Sequence, residues 1–128
     1  MPVSLEQLLF LHVVVSGEFR TAEGVRDRAA LEAALARPVA TFAGELLYGS
    51  PFARAAALLE SIIEGRPFAG GNRAVALMAA AFWLEREGYG LEAEPEQLTQ
   101  LTVASAVGAL DVDRLAARLE EYAKPLVG

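Results

Sequence analysis

Arg66-Pro67-Phe68-Ala69-Gly70-Gly71-Asn72-Arg73-Ala74-Val75-Ala76 is the stretch on which the fold turns. Two adjacent glycines stand directly before Asn72, and an unbroken apolar run follows from Ala74 to Leu84. A tight turn feeding a helix gathers several backbone N–H groups and the positive end of the helix dipole at one corner. Such a corner attracts anions without help from any side chain. Read alone, Gly70-Gly71-Asn72 is most often just a tight turn into a helix. The helix it opens runs from about Asn72 to Glu87 and stops at Gly88. Because it is apolar nearly all round, Met78, Phe82 and Trp83 included, it is expected to be the buried central helix.

Upstream, Ser50-Pro51 pairs a cap residue with proline at the first helical position. Phe52, Ala55, Ala56, Leu59, Ile62 and Ile63 then share one face of a helix ending near Gly65. Ser4-Leu5-Glu6-Gln7 has capping-box spacing and opens a helix with Leu5, Leu8, Leu9 and His12 on one stripe, closed by Ser16-Gly17. Asp27 caps a short helix to about Ala36, ended by Arg37-Pro38. Val39 to Gly49 has no sustained period and reads as a loop or a small hairpin. Downstream, Leu91-Glu92-Ala93 reads as an extended link. Pro95 opens a helix to about Val107, broken by Gly108. Asp111 caps the last helix, with Val112, Leu115, Leu119 and Tyr122 in register before Pro125. No internal repeat or linker is visible. The expectation is one all-α domain over residues 1–128, of about six helices around a buried central one.

Composition narrows the function. A chain of 128 residues suffices for one buried core. The net charge of −6 provides no basic excess for a nucleic-acid backbone. No cysteine is present, so disulfides, zinc-thiolate sites and thiol nucleophiles are excluded, and a reducing cytoplasm is compatible. The apolar run from Ala74 to Leu84 is far too short for a membrane span. Leu8 to Leu11 has no basic segment ahead of it and Glu6 beside it, which argues against a signal peptide. His12, the single histidine, lies on an apolar stripe and reads as a packed, hydrogen-bonded core or groove residue. Glu85-Arg86-Glu87 and Glu120-Glu121 read as solvated helix faces, and Asp111 as a cap rather than a metal ligand with Asp113.

The stretch from Pro67 to Ala76 resembles the Fic/Doc (Fido) superfamily and, within it, the death-on-curing (Doc) toxins. The family motif is His-x-Phe-x-Asp-(Gly or Ala)-Asn-Lys-Arg at the start of a central helix. The likeness extends through Leu8-Leu9-Phe10-Leu11-His12, Gly24-Val25-Arg26-Asp27, Leu31 to Pro38, Ala55 to Ser61 and Phe82 to Leu91. It implies an all-helical domain that transfers part of ATP, with Mg²⁺, to a protein hydroxyl. Doc-type members phosphorylate a threonine of the translation factor elongation factor Tu, and most others attach AMP. The resemblance also implies an antitoxin whose C-terminal segment binds a groove on the toxin.

Carried over residue by residue, Phe68 matches the buried aromatic that anchors the loop. Gly71 and Asn72 match the residues that shape the phosphate nest. Arg73 stands where the motif has lysine; the charge survives but its geometry does not. Arg66 stands at the catalytic histidine position, Gly70 at the acidic magnesium ligand and Ala74 at the phosphate-binding arginine. A histidine with a pKa of about 6.5 can accept a hydroxyl proton, whereas arginine stays protonated. Losing a general base costs roughly 10²–10⁴ in rate. Gly70 offers no ligand for Mg²⁺.

The nucleotide- or phosphate-binding set is therefore expected to be Phe68, Gly70, Gly71, Asn72 and Arg73, with Arg66 at the catalytic position but without its chemistry and with no metal site. Arg54 is a candidate third cation for this corner. The first reading is a Doc-like toxin homologue, weakly active or inactive, that keeps anion or nucleotide binding. One alternative is an active kinase or nucleotidyltransferase with substitute residues, for which Glu45 is the candidate donor. Another is a non-enzymatic helical interaction module with an apolar groove on its first helices.

Overall fold

Ser4 and Gln7 close a reciprocal box, each side chain accepting from the other's backbone N–H at 2.9 and 3.2 Å. This starts α1 (Leu5–Ser16). Asp27 accepts from Ala30 N–H to start α2 (Arg28–Ala36), and Ser50 accepts from Ala53 N–H to start α3 (Pro51–Gly65). Gln97 accepts from Glu94 N–H at the head of α5 (Pro95–Ala106), and Asp111 from Arg114 N–H at the head of α6 (Val112–Tyr122). Between these lies α4 (Asn72–Arg86), whose N-cap Gly71 provides no side chain. These six α-helices occur among the residues that the computed structural model describes, 3–16 and 24–127. Gly17, read as part of the stop of α1, lies outside them. No described helix is long and apolar enough to cross a membrane.

The buried central position belongs to α3 rather than to α4. It buries Phe52, Ala55 through Leu59, Ile62 and Ile63, and packs against α2, α4, α5 and α6. Three consecutive alanines, Ala55 to Ala57, let neighbouring backbones approach from several sides. Helix α4 lies along it and buries Val75, Ala76, Ala79, Ala80, Trp83 and Leu84. Its opposite flank is only half covered, so Met78 and Phe82 are not the core residues expected of them. A run of apolar residues registers hydrophobicity, but it does not tell how many neighbours a helix has.

Val39 to Gly49 resolves into a hairpin. β1 (Thr41–Phe42) pairs antiparallel with β2 (Glu45–Leu46), and the turn uses left-handed backbone at Ala43 (φ 53°) and Gly44 (φ 83°). Arg37 and Pro38 do not stop α2 outright, because a 3₁₀ turn over Arg37–Val39 continues it. Arg37 donates to the Tyr48 hydroxyl at 2.8 Å, and Arg54 donates to the Tyr48 carbonyl at 2.9 Å. Together they fix the root of the hairpin to α3.

Leu91 is not in a free link. β3 (Tyr89–Leu91) pairs antiparallel with β4 (Ala123–Pro125), which ties the C-terminal segment to the end of α4. Glu87 is not solvated either. Its carboxylate takes a bidentate grip from Arg54, at 3.0 and 2.8 Å, and also accepts from the Trp83 indole.

Candidate functional site

Helix α3 ends at Arg66 in the left-handed conformation, φ 46° and ψ 56°. For a residue with a Cβ that conformation costs about 1–2 kcal/mol. The cost is offset by neighbours. Arg26 spans the helix end, donating to the carbonyls of Gly65 at 2.9 Å and Arg66 at 2.8 Å. A cation there also suits the negative end of the α3 dipole.

The loop beyond Arg66 is stitched to the segment before α2. Pro67 O accepts from Arg26 N–H at 2.7 Å and Asp27 N–H at 3.0 Å, and Ala69 N–H donates to Gly24 O at 2.8 Å. Phe68, 1% exposed, plugs the core beneath the loop. His12 of α1 stacks on it, ring centroids 4.1 Å apart and planes 5° from parallel. The His12 Nε2 lies 3.2 Å from the Gly70 carbonyl. His12 is thus the packed, hydrogen-bonded residue the apolar stripe suggested. Gly24 leaves room for it, since a Cβ there would lie 2.5 Å from His12 Cε1.

Gly71 enters α4 with φ 75°, and Asn72 clasps the loop by a pair of hydrogen bonds to the Phe68 backbone. The amides of Gly71, Asn72, Arg73 and Ala74 make no hydrogen bond among the described residues. Two solvent-facing clefts share Gly71, Asn72 and Arg73 as a ridge. One, of about 550 Å³, is walled by Glu64, Arg66, Ala69, Gly70 and Ala106. The other, of about 500 Å³, is walled by Ala74, Leu77, Met78, Thr99 and Thr102. Arg66 and Arg73 are exposed and form no ion pair or side-chain hydrogen bond among the described residues.

The six residues singled out from the sequence therefore meet at one corner, in different roles. Gly70, Gly71 and Arg73 line it, Arg66 stands at its edge, and Phe68 and the Asn72 side chain support it from below. Arg54 does not belong there, because Glu87 and Tyr48 hold it on another part of α3. Glu45 sits exposed on the hairpin. Sequence reasoning missed Gly24 and Arg26 as loop supports and Thr99, Thr102 and Ala106 as walls. Gly24 and Arg26 did fall within the stretch bearing the resemblance, while nothing local marked the residues of α5.

Chemically, free amides, a helix N-terminus and two guanidinium groups suit an anion such as phosphate. The same donors do not fit Mg²⁺, which asks for hard oxygen ligands in octahedral array. Glu64 is the carboxylate lining the cleft, Gly70 contributes none, and no metal-holding cluster of His, Asp or Glu occurs among the described residues.

A sequence model of the Fic/DOC family matches residues 2–84, a span that includes the whole loop and nearly all of α4. The chain is also similar to the Toxin Doc of Mycolicibacterium smegmatis. The two are 36% identical over 101 residues, covering 77% of this chain and 78% of the toxin.

Proposed function

The chain belongs to the Fic/DOC family, and we propose that it is a Doc-type toxin homologue whose centre binds a phosphate-like anion but transfers it weakly or not at all. One observation carries this reading. The amides from Gly71 to Ala74 are unengaged and flanked by Arg66 and Arg73, with a protonated guanidinium where a base would stand. Phosphoryl and nucleotidyl transfer depend on positioning and charge neutralisation. The corner retains some of the charge neutralisation and has arginine rather than a proton acceptor at the family's histidine position. Without an oxygen ligand at Gly70, the metal's share of transition-state stabilisation, commonly several kcal/mol, is forfeited as well.

The ancestral reaction would carry phosphate, or AMP, from ATP to a protein hydroxyl such as a threonine of elongation factor Tu, in the cytoplasm. The Gly71 to Ala74 amides would hold the phosphates, with Arg66 and Arg73 supplying charge. An antitoxin is the expected partner. An apolar groove of about 300 Å³ between α1 and α4, formed by Phe10, Leu11 and Phe82, supports this. Phe10 is 63% exposed there, which suits the apolar face of a partner helix.

Transfer of radiolabel from ATP to purified elongation factor Tu tests the reading. Label at background, beside a competent Doc toxin as control, is expected. Stoichiometric labelling would establish the active-enzyme alternative instead.

A further inference from the structure

We infer that His12 is the positioning residue of the anion site: by holding the Gly70 carbonyl inward, it turns the Gly71 N–H toward the cleft. This rests on the anion reading of the same corner and adds the device that sets its polarity.

The argument starts from the peptide bond. In a trans peptide the carbonyl of one residue and the N–H of the next point in opposite directions. Fixing the Gly70 oxygen toward the core therefore aims the Gly71 N–H outward. Among the described residues no other group hydrogen-bonds the Gly70 carbonyl. The Gly70–Gly71 peptide lies between two residues with no Cβ, so rotating the whole plane meets little steric resistance. A rotated plane would put a carbonyl where the anion should sit. The corner would then repel what it now attracts.

His12 opposes that rotation with a hydrogen bond from its Nε2, at 3.2 Å from Gly70 O. A carbonyl oxygen can only accept, so Nε2 is the ring nitrogen that carries a proton toward Gly70. His12 Nδ1 is buried and has no hydrogen-bond partner among the described residues. The ring has little freedom to reorient. Phe68 lies flat on one face at 4.1 Å, and the Gly24 backbone closes the Nδ1 and Cε1 edge. One residue of α1 thus controls a peptide plane 58 residues away.

Two substitutions separate this role from simple core filling. His12→Phe keeps an aromatic ring against Phe68 and loses the donor. His12→Gln keeps a donor at a similar reach and loses the stack. With pyrophosphate as the calorimetric probe, His12→Phe is expected to weaken binding about tenfold while its melting temperature stays near that of the native chain. His12→Gln is expected to bind within about threefold of the native chain although it melts earlier. Native affinity in His12→Phe, or losses of affinity in both variants that simply track stability, would overturn the assignment. If the native chain itself ignores pyrophosphate, the anion reading fails separately. The positioning claim is then judged by imidazole ¹⁵N spectra of the native protein, where an Nε2-protonated ring is expected and an Nδ1-protonated ring refutes it.

Discussion

Both ends of the Asn72 carboxamide are engaged by the backbone of Phe68: Oδ1 accepts from its N–H at 3.0 Å and Nδ2 donates to its carbonyl at 2.9 Å. The residue that looks like a phosphate contact in the sequence is the clasp of the loop. Asn72→Ala strands two polar groups beside a buried ring, and an unsatisfied buried group costs about 1–3 kcal/mol. Urea denaturation should show a loss in that range, and pyrophosphate affinity should fall with it.

Arg66 combines an unfavourable backbone with a useful charge. Arg66→Gly relieves the left-handed conformation and should raise stability by about 1 kcal/mol. The same change removes a cation from the cleft edge, so anion affinity should fall. Arg66→Ala should lose affinity without that gain in stability. Paired thermal melts and titrations of the two variants check this.

What could be read from the sequence follows from distance along the chain. Helix starts were legible because Ser4 with Gln7, Asp27, Ser50 with Pro51, and Asp111 act within three or four residues. The motif corner was legible because Gly70 to Arg73 are contiguous. The pairing of Tyr89–Leu91 with Ala123–Pro125 was not, because a strand of three residues carries no period and its partner lies beyond two helices. Arg54 has the charge for the anion corner, but its partner, Glu87, lies 33 residues on and carries no local signal. The apolar stripe marks His12 as packed, but its contact with Gly70 spans 58 residues and has no local signal.

Glu87 makes the fold sensitive to acid. The Arg54 fork, opposed by burial and helped by the Trp83 indole, holds its carboxyl below the ordinary 4.5. A depressed value in the folded state means the stabilisation is complete above the unfolded value and fades as pH falls from 4.5 through the folded one. Glu87→Gln should lose roughly 1.5–3 kcal/mol near neutrality, where a charged hydrogen bond disappears. The gap from the native chain should close in acid. Urea midpoints measured down the pH scale check both the size and the convergence.

Restoring the three motif positions tests how far the rest of the pocket has been kept. Arg66 and Ala74 are exposed, and a Cβ at Gly70 meets no atom within 4 Å. Arg66→His, Gly70→Asp and Ala74→Arg together should therefore fold as the native chain does. The triple variant should gain Mg²⁺-dependent transfer from ATP, by at least the roughly 10²-fold that a general base commonly contributes. Growth arrest on expression and radiolabel transfer are the two readouts.

Calorimetric titration of ATP into the native protein at low salt, with EDTA and then with Mg²⁺, reaches the central claim most directly. A corner built from amides and two arginines should bind in roughly the millimolar range or tighter, and should weaken as salt screens the charges. Affinity should be the same in EDTA and should fall, though not to zero, when Arg66 and Arg73 are both changed to alanine and only the backbone amides remain. No heat at about 10 mM ATP, a concentration well above that range, or binding that appears only with Mg²⁺, would contradict the account.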